Sequence, residues 1–174
     1  MDIPVLQTKR LVLRAMGEHD LIAFEAIFTD ERVYRWLGGE SPSRAEVWRS
    51  IATNLGHWAL RGYGQWALED RATGELVGRA GLWQPEGWPG LEVGWAVAPE
   101  HWQRGYATEA GRAARDWGFE HLGAEEIISL TLPHNAASRR VMEKLGLLYD
   151  RTEPVAGHDQ VVYRITREEW SSRG

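Results

Sequence analysis

The chain has 174 residues, 43% of them hydrophobic and 26% charged, a composition that fits one folded domain and excludes global disorder. It has no cysteine, so disulfide scaffolds, cysteine-based zinc sites and thiol nucleophiles are excluded. Its net charge of −5, from 20 basic and 25 acidic residues, disfavours nucleic acid and suits a cationic or neutral small partner. Residues 8–14 read as a first strand. Residues 18–29 carry Leu21, Ile22, Phe24, Ala26, Ile27 and Phe28, a helix with a broad apolar face. Ser43, with Glu46 at capping-box spacing, starts a second helix that runs to about Leu60 and breaks at Gly62 and Gly64. Strands follow at 65–69, 75–83 and 91–98, the first two as a hairpin and the third ended by Pro99. A helix from about Gly105 to Leu122 stops at Gly123. A buried-type strand at 127–132 precedes a helix from Asn135 to Leu145 with Gly146 past its end. Strands at about 147–153 and 160–166 close the chain. The order predicts a mixed α/β domain spanning 1–174 around one sheet.

The absences narrow the chemistry. There is no phosphate-loop motif, no His-Glu-x-x-His, no metal-ligand spacing among the six histidines and no nucleophile elbow. Gly62-Tyr-Gly-Gln-Trp-Ala67 fits a loose dinucleotide pattern, but a helix precedes it and a strand follows, the reverse of what that pattern needs. No apolar run reaches signal-peptide or membrane-span length, so the chain reads as cytoplasmic, without a membrane partner.

Two stretches carry chemistry. At Trp102-Gln-Arg-Gly-Tyr-Ala-Thr108 a strand gives way to a helix through small residues. Backbone N–H groups at such a helix start point outward, where the dipole favours an anion, and Arg104 adds a positive charge. A plain turn is the alternative. Asn135-Ala-Ala-Ser138 opens a capped amphipathic helix; taken alone, Asn135 is an N-cap and Ser138 a surface hydroxyl.

Together with Met142-Glu-Lys-Leu-Gly146, Thr8 to Arg14 and Ile165 to Trp170, these segments resemble the GNAT acetyltransferase superfamily. Within it they most resemble the Rim-type N-terminal acetyltransferases of ribosomal proteins and their small-amine relatives. The resemblance implies the GNAT fold, with strand 91–98 splayed from strand 127–132, and acetyl-CoA as cofactor. It implies that amides of Gln103, Arg104, Gly105, Tyr106, Ala107 and Thr108 hold the pyrophosphate. Asn135, with Ser138 beside it, meets the pantetheine arm. Backbone groups of Trp95, Ala96 and Val97 pair with the arm and polarise the thioester carbonyl. Trp102 stands where the family has Gln or Arg. Met142 stands where many members have an acidic Tyr, and Met donates no proton. Ser138 is the substitute acid. Thiolate is a fair leaving group, with a thiol pKa near 8.5.

Glu92 is the expected base; a solvent-facing strand carboxylate is the alternative. The acceptor amine must be neutral to attack. An α-amine of pKa about 7.7–8.0 is neutral in roughly a tenth of molecules at pH 7, a lysine amine in fewer than about one in a thousand. A weak base therefore favours an α-amine. His101 and His134 read as loop or capping residues. Residues 17–46 carry seven carboxylates against three arginines, which attracts a cationic acceptor or merely solvates helix faces. Tyr34 and Trp36 line the acceptor pocket or pack locally.

The expected activity is acetyl transfer to a primary amine by direct attack, on a protein N-terminus or a small molecule. A non-catalytic acyl-CoA-binding module is the alternative. The partners are a small-molecule or peptide amine, with no nucleic acid, no metal, and room for a homodimer. Ten tryptophans are the odd number: Trp66, Trp117 and Trp170 read as packing, while Trp36, Trp48 and Trp58 lie on the acceptor side.

Overall fold

The structure, a computed structural model, describes residues 2–172; residues 1, 173 and 174, the ends of the expected domain, lie outside the described residues. One eight-stranded mixed sheet forms the frame, in the order β1-β2-β3-β4-β5-β6-β8-β7. Its strands are β1 (Leu6–Gln7), β2 (Leu11–Arg14), β3 (Gln65–Asp70), β4 (Leu76–Trp83), β5 (Glu92–Val97), β6 (Glu126–Thr131), β7 (Leu148–Val155) and β8 (His158–Thr166). The helices are α1 (Leu21–Phe28), α2 (Glu31–Tyr34), α3 (Arg44–Arg61), α4 (Tyr106–His121), α5 (Ala136–Lys144) and α6 (Arg167–Ser171).

The first strand is two strands. Thr8 Oγ1 accepts from Leu11 N at 3.0 Å and donates to Glu109 Oε1 at 2.6 Å, so residues 8–10 turn and dock on α4. Both capping boxes around long-range elements follow local chemistry. Ser43 and Glu46 close the start of α3 reciprocally, and Thr166 and Glu169 do the same for α6. Gly62, with φ 76°, closes α3, so the loose dinucleotide pattern is a helix stop.

The strand period of two sends apolar side chains to both faces of the sheet. Leu11, Leu13, Trp66, Leu68, Val93 and Val97 face α4 and α5 in one core. Ala67 and Ala96 face α1 and α3, which bring Phe24, Ile27, Val47 and Ile51. Trp58, expected on the acceptor side, instead joins Trp66 and Trp117, with ring centroids 5.0 and 5.9 Å away. Its indole N–H donates to Gln65 O at 3.0 Å, which satisfies the polar edge inside the core. Gly111 on α4 is small because a Cβ there would meet Leu145 at 2.8 Å and Trp95 at 3.3 Å. Helix α4 thereby lies close on the sheet.

The central pair positions everything that follows. β5 and β6 run parallel and share one register pair, Glu92 with Ile128, where Ile128 N donates to Leu91 O at 2.9 Å. Beyond that point the strands part, leaving a slot that opens toward Val97 and Thr131. Among the described residues, no helix is long and apolar enough to cross a membrane.

Candidate active site

Strand alternation decides which backbone groups face the slot. Ala98 N donates to Val77 O at 2.8 Å. In an antiparallel ladder every second residue pairs with the same neighbour. Ala96, Gly94 and Glu92 therefore turn their amides and carbonyls to β4, while Val93, Trp95 and Val97 turn theirs toward β6. This corrects the expectation for Ala96: its backbone is spent on Arg79 of β4, and its side chain is buried under α1 and α3. Trp95 and Val97 keep their amides at the slot. The Trp95 indole packs the other way, against α4.

Trp102, in the turn after β5, is 39% exposed and donates its indole N–H to Val97 O at 2.7 Å. The bond ties the turn to the end of β5. In that turn Gln103 has φ 60° and Gly105 has φ 84°. Two left-handed residues so close aim successive N–H groups to one side, a concavity suited to an anion. A left-handed non-glycine residue costs about 1–2 kcal/mol, so Gln103 is held there by its surroundings. The first backbone bond to close the following helix is Glu109 N to Gly105 O at 3.0 Å. Among the described residues, the amides of 103–108 before it have no backbone partner. Tyr106 contributes only its amide, because its ring is buried and its hydroxyl donates to Asp70.

Positive charge gathers beside this cradle. Arg104 approaches His101 Nδ1 at 3.2 Å, and its carbonyl accepts from Arg10 Nη1 at 2.6 Å. A groove of about 540 Å³ runs from Gly105 and Thr108 past Arg10 and Arg112, with Asp116 and with Glu109, which pairs with Arg10 at 2.7 Å, also on its wall. Both lysines of the chain, Lys9 and Lys144, line it. Their signal in the sequence was absent, since they are remote from the motif and from each other. His101 is buried at the end of a short 3-10 turn, beside Glu75 and against the Tyr106 ring.

On the other lip of the slot, Asn135 caps α5. Its Oδ1 accepts from Ser138 N at 3.2 Å and its Nδ2 donates to Thr131 Oγ1 at 3.1 Å. One amide hydrogen remains for a ligand. Ser138 is half-buried in the first turn of α5, and among the described residues its hydroxyl has no partner. Met142 is 1% exposed and sits in the core with Leu145 and Leu147. It lies one turn beyond Ser138 on the same helix face, where it packs into the core.

Glu92 sits at the closed end of the slot, with its side chain on the α1–α3 face. It is not a solvent-facing carboxylate. Trp88, from the β4–β5 loop, donates its indole N–H to Glu92 Oε2 at 2.7 Å. Burial pushes the carboxyl up to about 7, against the hydrogen bond from Trp88 and the positive charge of Arg79. A carboxyl poised near neutrality can take a proton at physiological pH. Trp88 gave no sequence signal as a partner of Glu92, although four residues separate them.

The acceptor-side residues divide. Tyr34 lines a cavity of about 160 Å³ with Phe28, Ser50 and Arg79. Trp36 lies elsewhere: its ring centroid is 5.2 Å from that of His134, just past β6, so it reaches across the mouth of the slot.

This geometry is shared with known proteins. The sequence pattern described as "Acetyltransferase (GNAT) domain" matches residues 10–148. The chain is 34% identical to Bacillus subtilis YkkB, over 91% of this chain and 96% of that protein. It is 32% identical to the FsC-acetyl coenzyme A-N(2)-transacetylase of Aspergillus fumigatus, over 96% of this chain and 78% of that one. The crystal structure of an acetyltransferase from Agrobacterium tumefaciens superposes with a TM-score of 0.86 at 32% identity, covering 95% of each chain.

Proposed function

The chain belongs to the GNAT acetyltransferase family and is an N-acetyltransferase, and from that premise we propose that it acetylates a primary amine by direct attack on acetyl-CoA. The observation that carries the reading is the pairing of an anion cradle with a proton acceptor along one slot. Among the described residues the amides of 103–108 have no backbone partner, and Arg104 flanks them, so the residues fit a pyrophosphate. The slot beyond Glu92 and Ile128 fits an extended arm.

Acetyl-CoA, when bound, would supply the acyl group as a thioester, and negative charge would develop on its carbonyl oxygen. The amides of Trp95 and Val97 donate along the slot and steady that charge. Asn135 donates its remaining amide hydrogen to the arm. Glu92, partly ionised near neutrality, accepts a proton from the incoming amine, directly or through water. Ser138 donates to the departing sulfur from the first turn of α5, the role left open by Met142. Strong acid help is not required, because thiolate leaves readily.

An α-amine suits this site better than a lysine amine. A base titrating near 7 removes a proton easily from an amine of pKa about 8 and poorly from one above 10. The Aspergillus relative, named as an acetyl coenzyme A-N(2)-transacetylase, supports a nitrogen acceptor. The Rim-type likeness of the motifs supports the same preference.

Thiol release from acetyl-CoA over a panel of primary amines, with the product identified by mass, tests the reading. Release with free α-amines and none with α-blocked lysine peptides is expected. Activity on the blocked peptides alone would overturn the α-amine preference, and CoA binding without release from any amine would overturn the reaction.

A further inference from the structure

Arg79 lies on β4 on the same face as Glu92. The register places Arg79 opposite Ala96, Gly81 opposite Gly94 and Trp83 opposite Glu92. Positions between Arg79 and Glu92 on that face are therefore glycines on both strands, a floor without side chains. Glu92 folds over it: its Oε1 is 3.1 Å from where a Cβ on Gly94 would sit. Backbones of the two charged residues are separated by about 13 Å along the strands, four residues at about 3.3 Å each. Glu92 reaches over Gly94, Arg79 turns to Ser50 and Phe28, and each of the two feels the other's charge.

The Arg79 guanidinium is poorly satisfied. Among the described residues it makes one hydrogen bond, Nη1 to Ser50 Oγ at 3.0 Å, and no ion pair. Its Cζ lies 4.8 Å from the Phe28 ring centroid, which holds the plane in place. Burial lowers it to about 10, partly opposed by Glu92, so it stays charged at neutral pH. Three or more guanidinium hydrogens are left for something else. Arg79 is half-buried without a counter-ion among the described residues, and a planar fork matches a carboxylate in two parallel bonds. Arg79 also lines the 160 Å³ cavity with Tyr34, and Glu40 and Glu46 stand on the same wall. Those two carboxylates disfavour a ligand with several negative charges. They admit one that carries an amine as well.

We infer that the acceptor is a small amine bearing one carboxylate, an amino-acid-like zwitterion, with Arg79 holding the carboxylate and Glu92 facing the amine. The inference rests on the proposed reaction and names its substrate class. A protein N-terminus lacks the second group, because its first carbonyl is a neutral amide. The small cavity also suits a ligand of a few heavy atoms better than a chain end.

The test compares kcat/KM per neutral amine, since a carboxylate raises the pKa of the amine beside it, for matched pairs of free amino acids and their carboxamides, in the full chain and in Arg79→Gln and Arg79→Lys. Calorimetry with CoA reports whether each variant is folded. The carboxylate member is expected to be preferred by about tenfold or more, because a site built around an ion rejects its neutral analogue. The preference should fall to about one in Arg79→Gln, through KM, and partly survive in Arg79→Lys. Equal use of the carboxamides by the native chain, or an unchanged ratio in a CoA-binding Arg79→Gln, would overturn the inference. Release with carboxylate-free amines alone would overturn it and leave the acetyltransferase reading intact. A CoA-bound chain that releases thiol with no amine at all would overturn both.

Discussion

Trp88 donates its indole N–H to Glu92 at 2.7 Å, so the residue proposed as base is held by a side chain from a neighbouring loop. The bond favours the ionised carboxylate, while burial favours the neutral acid, and burial wins by enough to leave the group near 7. Position and acidity of Glu92 are thus set together.

Removing that donor should shift the acidity in a known direction. In Trp88→Phe the carboxyl loses a bond that lowers its pKa, so the acid limb of the pH–rate profile should move upward. Steady-state rates across pH measure it. A limb that stays in place would detach Trp88 from Glu92.

Glu92 should also mark the stability of the fold. Its folded pKa of about 7 lies above the ordinary 4.5, so the folded chain holds the extra proton in that window. The contribution is complete below about 4.5 and is lost as pH rises through about 7. Glu92→Gln carries no such loss and can still accept from Trp88. The melting temperature of the variant minus that of the native chain should therefore grow from about pH 5 to about pH 8. A difference that does not change with pH would contradict a raised Glu92.

Gly105→Glu should abolish CoA binding. The position has φ 84°, and a Cβ would meet Arg10 at 3.2 Å. The new carboxylate would also repel a pyrophosphate from the same amides. Calorimetry reads the loss, and retained affinity would remove the turn from the site.

Ser138→Ala should lower kcat more than CoA affinity. The hydroxyl has no partner among the described residues, so its loss leaves no protein group unsatisfied. A drop of about tenfold in kcat is expected for a helpful but dispensable acid. An unchanged rate would retire the role.

Much of this was legible in the chain because it is local. The Ser43–Glu46 box, the Asn135 cap and the Gly105 turn are each encoded within four residues, and each lies where the pattern puts it. Helix α2 has four residues, too few for a period to show, and α6 is five residues long, marked in the sequence only by the capping pair Thr166 and Glu169. The parting of β5 from β6 followed from family likeness and not from composition. The facing of the Ala96 backbone is not legible, because which strand a backbone group faces depends on a register that no single strand reveals. No motif in the sequence marks Arg79; it is the fold that places it beside the glycines at 81 and 94 and on the wall of the cavity with Phe28 and Tyr34. The tryptophans divide the same way. Trp58, Trp66 and Trp117 form a core cluster, whereas Trp88 and Trp102 spend their N–H groups on Glu92 and Val97.

The pH dependence of kcat in the native chain and in Glu92→Gln tests the account most directly. With saturating acetyl-CoA and amine, the native rate should rise as pH increases and level off above about 7, where Glu92 has lost its proton. Glu92→Gln should bind CoA normally, turn over about a hundredfold more slowly, and lose the inflection near 7. A Glu92→Gln profile that matches the native one in height and shape would contradict Glu92 as the proton acceptor.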